Sequence, residues 1–205
     1  MLHHLGTVRE KMGGERLALA LGDFNAVIKK DPEFAAAYNG RGLVWDKLFN
    51  FEAAVEDFST AIKKNPENPA FWHNRGLVLR KLEKYQDAIE DYTMELSLDD
   101  KKNVKALNNR GYSYAKIGRF EEGVNDYTKV LNVDPNNFHA LHNRGISLEK
   151  MGRFHEAIED FTRLIQLEGN TNAYFNRGCC YDSIGELDLA IADYSAALEL
   201  DMKTR

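Results

Sequence analysis

The chain has 205 residues, of which 43% are hydrophobic and 29% charged, a balance that excludes intrinsic disorder and allows one or two folded domains. The formal net charge of −5 argues against a nucleic-acid binder, which concentrates basic excess on one face. No apolar run approaches the roughly 20 residues of a membrane-spanning helix, and Met1-Leu2-His3-His4-Leu5-Gly6 lacks the charged and apolar regions of a signal peptide, so the expectation is a cytoplasmic protein without membrane insertion; a ciliary or organelle-associated place suits the same surface.

Taken in order, the chain repeats itself. Gly40-Arg41-Gly42 is followed by Asn74-Arg75-Gly76, Asn109-Arg110-Gly111, Asn143-Arg144-Gly145 and Asn176-Arg177-Gly178, with steps of 34, 35, 34 and 33 residues between the last glycines of successive motifs. A period of this length marks stacked units. The units are 1–34, 35–68, 69–103, 104–137, 138–170 and 171–204, read as one domain over 1–205. In each, apolar residues fall at helical intervals in two blocks, as in Tyr38 and Trp45, then Ala54, Phe58 and Ile62. Asp31-Pro32, Asn65-Pro66 and Asp134-Pro135 close units where a second helix must stop. Gly118, Gly152 and Gly185 lie between paired helices, where a tight turn favours glycine.

Glycines also recur inside the first helix, where each costs about 1 kcal/mol relative to Ala. A packing reason is therefore expected: close approach of the paired helices, helped by Ala54, Ala88, Gly123, Ala157 and Ala190 in the second. Large residues fill two columns around this contact, Tyr38, Trp72, Leu107, Leu141 and Tyr174 in one, Phe24, Phe58, Tyr92, Tyr127, Phe161 and Tyr194 in the other. This order of aromatic, Gly, aromatic, Ala, aromatic and Pro resembles the tetratricopeptide repeat, in an Asn-Arg-Gly variety, across nearly the whole chain. The resemblance implies an all-α, right-handed superhelical solenoid of about six helical hairpins, with a concave groove lined by the first helices, and it implies binding in place of catalysis.

Two places depart from the pattern. Leu5-Gly6 is two residues out of phase, which reads as a longer connection or a modified cap. Between 69–103 and 104–137 one residue is inserted and Asp100 replaces the usual Pro. Glu95 there stands where other units have Val27, Ala61, Val130, Leu164 or Ala197, and is expected to be partly exposed or paired, since a buried lone carboxylate is costly.

Each full unit carries an Arg before its glycine and an Asp before its second aromatic: Arg41 and Asp57, Arg75 and Asp91, Arg110 and Asp126, Arg144 and Asp160, Arg177 and Asp193. A guanidinium fork binds a carboxylate bidentately. The spacing fits pairing within a unit or with the following one, and either role is a scaffold role.

In the family frame Asn74, Asn109, Asn143 and Asn176 project toward the concave side, where an amide ladder can clamp a peptide backbone. Lys81, Lys105, Lys116 and Lys150 add positive charge for acidic residues, and Tyr112, His142 and Ile146 complete the expected peptide-binding set. The carboxylate clamp for chaperone tails is disfavoured, because Leu43 or Leu77 and Asn109 or Asn143 replace its required groups. His139 and His142 are three apart with no further ligand fixed, and Cys179-Cys180 suits neither a disulfide nor a metal. No catalytic motif, metal site or cofactor site is read, so the chain is expected not to be an enzyme. The expected role is a scaffold holding a partner's peptide segment within a multiprotein complex, with no nucleic acid. The alternative is an assembly module that self-associates, or continues a longer array, through its last helix around Ile191, Tyr194 and Leu198.

Overall fold

The computed structural model describes residues 16–99 and 103–204. Among these residues there are eleven helices and no strand. The first, α1 (Leu17–Lys30), has the place of a second helix; the out-of-phase Leu5-Gly6 and the rest of that unit's start lie outside the described residues, as do Asp100 and the insertion beside it. Then come the hairpins α2 (Ala35–Lys47) with α3 (Phe51–Lys64), α4 (Pro69–Lys81) with α5 (Tyr85–Leu98), α6 (Val104–Lys116) with α7 (Phe120–Val133), α8 (Phe138–Lys150) with α9 (Phe154–Glu168), and α10 (Thr171–Ser183) with α11 (Leu187–Thr204). The chain divides into two compact units, Met1–Ala106 and Leu107–Arg205.

Local chemistry starts these helices where the repeat requires. The side chains of Asn50, Asn68, Asn137 and Asn170 accept the amides of Ala53, Ala70, Ala140 and Ala173, satisfying donors that have no partner within a first turn. The turns inside the hairpins need a left-handed residue. Gly118, Gly152 and Gly185 supply it at φ 78°, 74° and 84°, but the same positions of the first two hairpins hold Phe49 at φ 59° and Glu83 at φ 57°. A side chain in that region costs about 1–2 kcal/mol.

Packing explains the helical glycines differently from helix approach alone. A Cβ on Gly42, Gly76, Gly111, Gly145 or Gly178 would come within 2.8–2.9 Å of a ring atom of Phe58, Tyr92, Tyr127, Phe161 or Tyr194, respectively. Each glycine makes room for the aromatic of its own hairpin's second helix. Phe58, Tyr92, Tyr127 and Phe161 are thereby fully buried, each contributing roughly 1.5–3 kcal/mol before conformational costs. The backbone approach anticipated around Gly123 is present too, since a Cβ at that position would meet the Gly111 carbonyl oxygen at 3.0 Å. Within Met1–Ala106, Phe71 of α4 packs onto Ala61 and Ile62 of α3, while Val78 packs with Ala54 and Phe58.

The Arg and Asp columns pair within one hairpin. Nε and Nη2 of Arg144 donate to the two carboxylate oxygens of Asp160 at 2.8 and 2.7 Å, and Arg41, Arg75, Arg110 and Arg177 grip Asp57, Asp91, Asp126 and Asp193 alike. The remaining nitrogen reaches backward. Nη1 of Arg41, Arg75, Arg144 and Arg177 donates to Asn25, Ser59, Thr128 and Thr162 of the preceding second helix, at 2.6–3.1 Å. One side chain closes its own hairpin and fastens it to the one before.

Glu95 is buried and paired, with both carboxylate oxygens within 3.0 Å of His73 Nδ1 and Oε1 accepting from Asn103 Nδ2 at 3.1 Å.

Candidate functional site

Within Met1–Ala106, two expected ligand-binding groups are engaged internally. The Asn74 amide donates to Asn39 Oδ1 at 2.9 Å. Lys81 Nζ lies 2.6 and 2.7 Å from the carboxylate oxygens of Asp46, one repeat earlier, and 5.5 Å from the Phe51 ring centroid. Most of the charge Lys81 could offer a ligand is neutralised there. Lys105 is exposed near the start of α6.

Within Leu107–Arg205 the arrangement changes. A cleft of about 240 Å³ between α6 and α8 is lined by Tyr112, Lys116, Asn143, Ile146 and Lys150, together with Ala115, Phe120, Tyr127 and Ser147. Five residues expected from the sequence thus meet in one concavity. Their spacing explains it: Tyr112 and Lys116 are one helical turn apart on α6, as are Ile146 and Lys150 on α8, so both pairs face one way.

The electrostatics differ from those around Lys81. Ala115 stands at the repeat position of Asp46, so the place that carries a carboxylate for Lys81 carries a methyl group beside Lys150. Lys150 keeps only a long contact, 3.6 Å, to Glu149 and is 57% exposed. Lys116 Nζ is 5.2 Å from the Tyr112 ring centroid, a cation–π arrangement that holds the amine at the rim. The cleft combines an apolar floor, one amide and two cationic edges.

Other expected residues fall elsewhere. His142 stacks on Phe138, with ring centroids 6.3 Å apart and planes 8° apart, and meets Phe161 edge-on. Burial, then the neighbouring His139, lowers its pKa from 6.5. A depressed imidazole contributes stability above the ordinary His range and loses it as pH falls through the folded value. An NMR titration of the His142 ring should give a midpoint below 6.5; a midpoint at or above that value would contradict the burial. Asn109 and Asn176 are half-buried on α6 and α10.

Ala115, Phe120, Tyr127 and Ser147 were not anticipated as lining residues, Tyr127 being expected only in the aromatic column of the core. The signal for Ala115 was available as a missing carboxylate in a column that holds Asp46, Glu149 and Asp182 but also Arg80.

No group of three or more His, Cys, Asp or Glu side chains suited to a metal occurs among the described residues. Cys180 is buried, its thiol pushed up to about 12 by burial, which suppresses thiolate chemistry. No helix among the described residues is long and apolar enough to cross a membrane.

Family models described as Tetratricopeptide repeat match residues 5–48, 47–103, 104–137, 138–171 and 171–201. The chain belongs to the tetratricopeptide repeat family. Its all-α repeat fold recurs in solved structures: a MamA protein is 22% identical with a TM-score of 0.80, covering 84% of this chain and 94% of that one. MamA from Desulfovibrio magneticus RS-1 is 16% identical with a TM-score of 0.79, covering 82% and 96%. YrrB, described as a TPR protein with an unusual peptide-binding site, is 18% identical with a TM-score of 0.77, covering 86% and 91%. No curated protein matches the chain significantly. In this tetratricopeptide repeat chain, the cleft lies between first helices of successive hairpins.

Proposed function

We propose that the chain is a protein-interaction scaffold that holds a partner's extended peptide segment in the cleft between α6 and α8. The observation that carries this reading is the local loss of the neutralising carboxylate, which leaves Lys150 beside Ala115 at the edge of an apolar concavity. An acidic ligand residue would lie toward Lys116 and Lys150, a bulky apolar one would enter between Tyr112, Phe120 and Ile146, and the Asn143 amide would bond the backbone. Asn109 and Asn176, on the neighbouring first helices of Leu107–Arg205, would extend the backbone contacts. The peptide-binding site named for YrrB supports a peptide role for a fold of this kind.

Selection from a displayed random-peptide library tests the reading. Enriched peptides are expected to place Asp or Glu within three residues of Leu, Ile or Phe. Lys150→Glu is expected to weaken them about tenfold, near 1.4 kcal/mol, and the double variant Asn109→Ala, Asn143→Ala by more. Enrichment without acidic residues, or equal binding by folded variants, would refute it.

A further inference from the structure

The cleft between α6 and α8 carries more positive charge than one acidic side chain would use. None of the residues lining it is acidic, while Lys116 and Lys150 both stand on its edge. In the repeat frame, the place that Asp46 holds before Lys81 is held by Arg80 before Lys116 and by Ala115 before Lys150. The carboxylate that meets Lys81 at 2.6 Å therefore has no equivalent in that column for either cleft lysine. Lys150 has Glu149 at 3.6 Å, outside the lining, and Lys116 faces the Tyr112 ring at 5.2 Å; the first contact is long and the second uncharged.

Two amines on one pocket of about 240 Å³ raise its local positive potential, and a single carboxylate compensates only one of them. A phosphate monoester brings about −1.5 to −2 charge at neutral pH and three acceptor oxygens. The rim supplies donors to match, two ammonium groups and the Asn143 amide.

Depth decides which phosphorylated residue fits. Tyr127 and Ser147 are 0% and 1% exposed, whereas Lys150 is 57% exposed and Lys116 is exposed as well, so the amines stand above the floor. The Ser147 hydroxyl is spent on the Asn143 carbonyl oxygen at 2.8 Å, and Phe120 and Ile146 add apolar surface beside it. Phosphotyrosine carries its phosphate beyond its ring. With that ring on the floor, the dianion would pass the lysines and lose its water to apolar walls, which is costly. On serine or threonine the phosphate stays one short side chain from the backbone, level with the amines, and a neighbouring residue of the ligand fills the floor.

We propose that the ligand of this cleft is a phosphopeptide, with phosphoserine or phosphothreonine between Lys116 and Lys150 and a Leu, Ile or Phe within two residues of it entering between Tyr112, Phe120 and Ile146. The proposal rests on the peptide reading of the cleft given above and adds the class of ligand. Ala115 then sets the preference, because a carboxylate there would neutralise Lys150 as Asp46 neutralises Lys81.

Four oriented peptide libraries, degenerate except for a central phosphoserine, phosphotyrosine, Asp or Ser, are passed over the immobilised full-length protein. The most enriched phosphoserine sequence is then remade with each of the other three residues at its centre and titrated by fluorescence anisotropy. The phosphoserine peptide is expected to bind about tenfold tighter than its Asp form, and tighter still than the Ser and phosphotyrosine forms. Lys116→Ala and Lys150→Ala, at exposed side chains whose loss should leave the unfolding midpoint unchanged, should each weaken the phosphoserine peptide more than the Asp peptide. Ala115→Asp, which copies the residue at position 46, should bring the two peptides to within about twofold of each other. Equal binding of the phosphoserine and Asp peptides by the wild-type protein would overturn the phosphate assignment and leave an acidic-peptide cleft in place. Failure of all four libraries to enrich, or affinities indifferent to Lys150→Ala, would remove the peptide reading with it. A preference for phosphotyrosine, or displacement of the bound peptide by an equal concentration of single-stranded oligonucleotide, would also overturn the proposal.

Discussion

Replacing Arg144 by Ala should destabilise the protein by about 3–5 kcal/mol, because it leaves the Asp160 carboxylate buried without its bidentate partner. The Asp160 side chain is 4% exposed and that of Arg144 24%, so little water can replace the guanidinium. The two ends of the pair respond differently. Arg144 is raised from 12.5 chiefly by its bond to Asp160, whereas Asp160 is raised from 3.8 because burial outweighs the pull of Arg144. The carboxylate, being the more buried, sets the sign. A folded-state carboxyl pKa above its ordinary value contributes stability below the carboxylate range and loses it as pH rises through the folded value. The pair is therefore a weak source of net stability at neutral pH, though costly to split. The double variant Arg144→Met, Asp160→Leu should accordingly lie within about 1–2 kcal/mol of wild type, far less than either single change implies. Urea unfolding of Arg144→Met, Asp160→Leu and the double variant gives the coupling; a double variant as unstable as Arg144→Ala would contradict this account.

The second large effect concerns Phe161 and the glycine beneath it. Phe161→Ala should cost about 3–5 kcal/mol, since the ring is fully buried and spans the contact between α8 and α9. Gly145→Ala acts from the other side, forcing a methyl to 2.8 Å from two ring atoms, and should cost about 1–3 kcal/mol despite the better helix propensity of Ala. Combining it with Phe161→Leu relieves the clash, so Gly145→Ala should be nearly neutral in that background. If the Gly145 change costs the same with Phe or Leu at 161, by thermal or urea unfolding, the glycine has another purpose.

The hairpins were legible because each repeats a physical requirement. A glycine opposite an aromatic, an alanine on the facing helix and an Asn or Pro at the unit boundary recur in phase, and chance does not keep phase across five units. What the glycines accommodate was only partly legible, since spacing gives a close approach without saying that a ring fills it. The partner of each Arg was ambiguous for a geometric reason: a second helix lies between two first helices, and the guanidinium in fact uses both neighbours. Phe49 and Glu83 were not readable as left-handed residues, because nothing in their side chains demands that conformation. For the cleft, Tyr112, Asn143 and Lys150 were found by position, whereas Ala115 acts through what it lacks. The same reasoning could not distinguish Lys81 from Lys150 without comparing the residues one repeat earlier.

The backward reach of Arg41, Arg75, Arg144 and Arg177 bears on how the chain comes apart. In a linear array, stability is a sum of what each repeat holds by itself and what each junction adds. A side chain that bonds inside a repeat and across its junction enters both sums at once. Losing one hairpin therefore strips the arginine that closes its successor of its Nη1 hydrogen bond, which penalises partly unfolded arrays. Within each compact unit, neighbouring hairpins should consequently lose amide-exchange protection together.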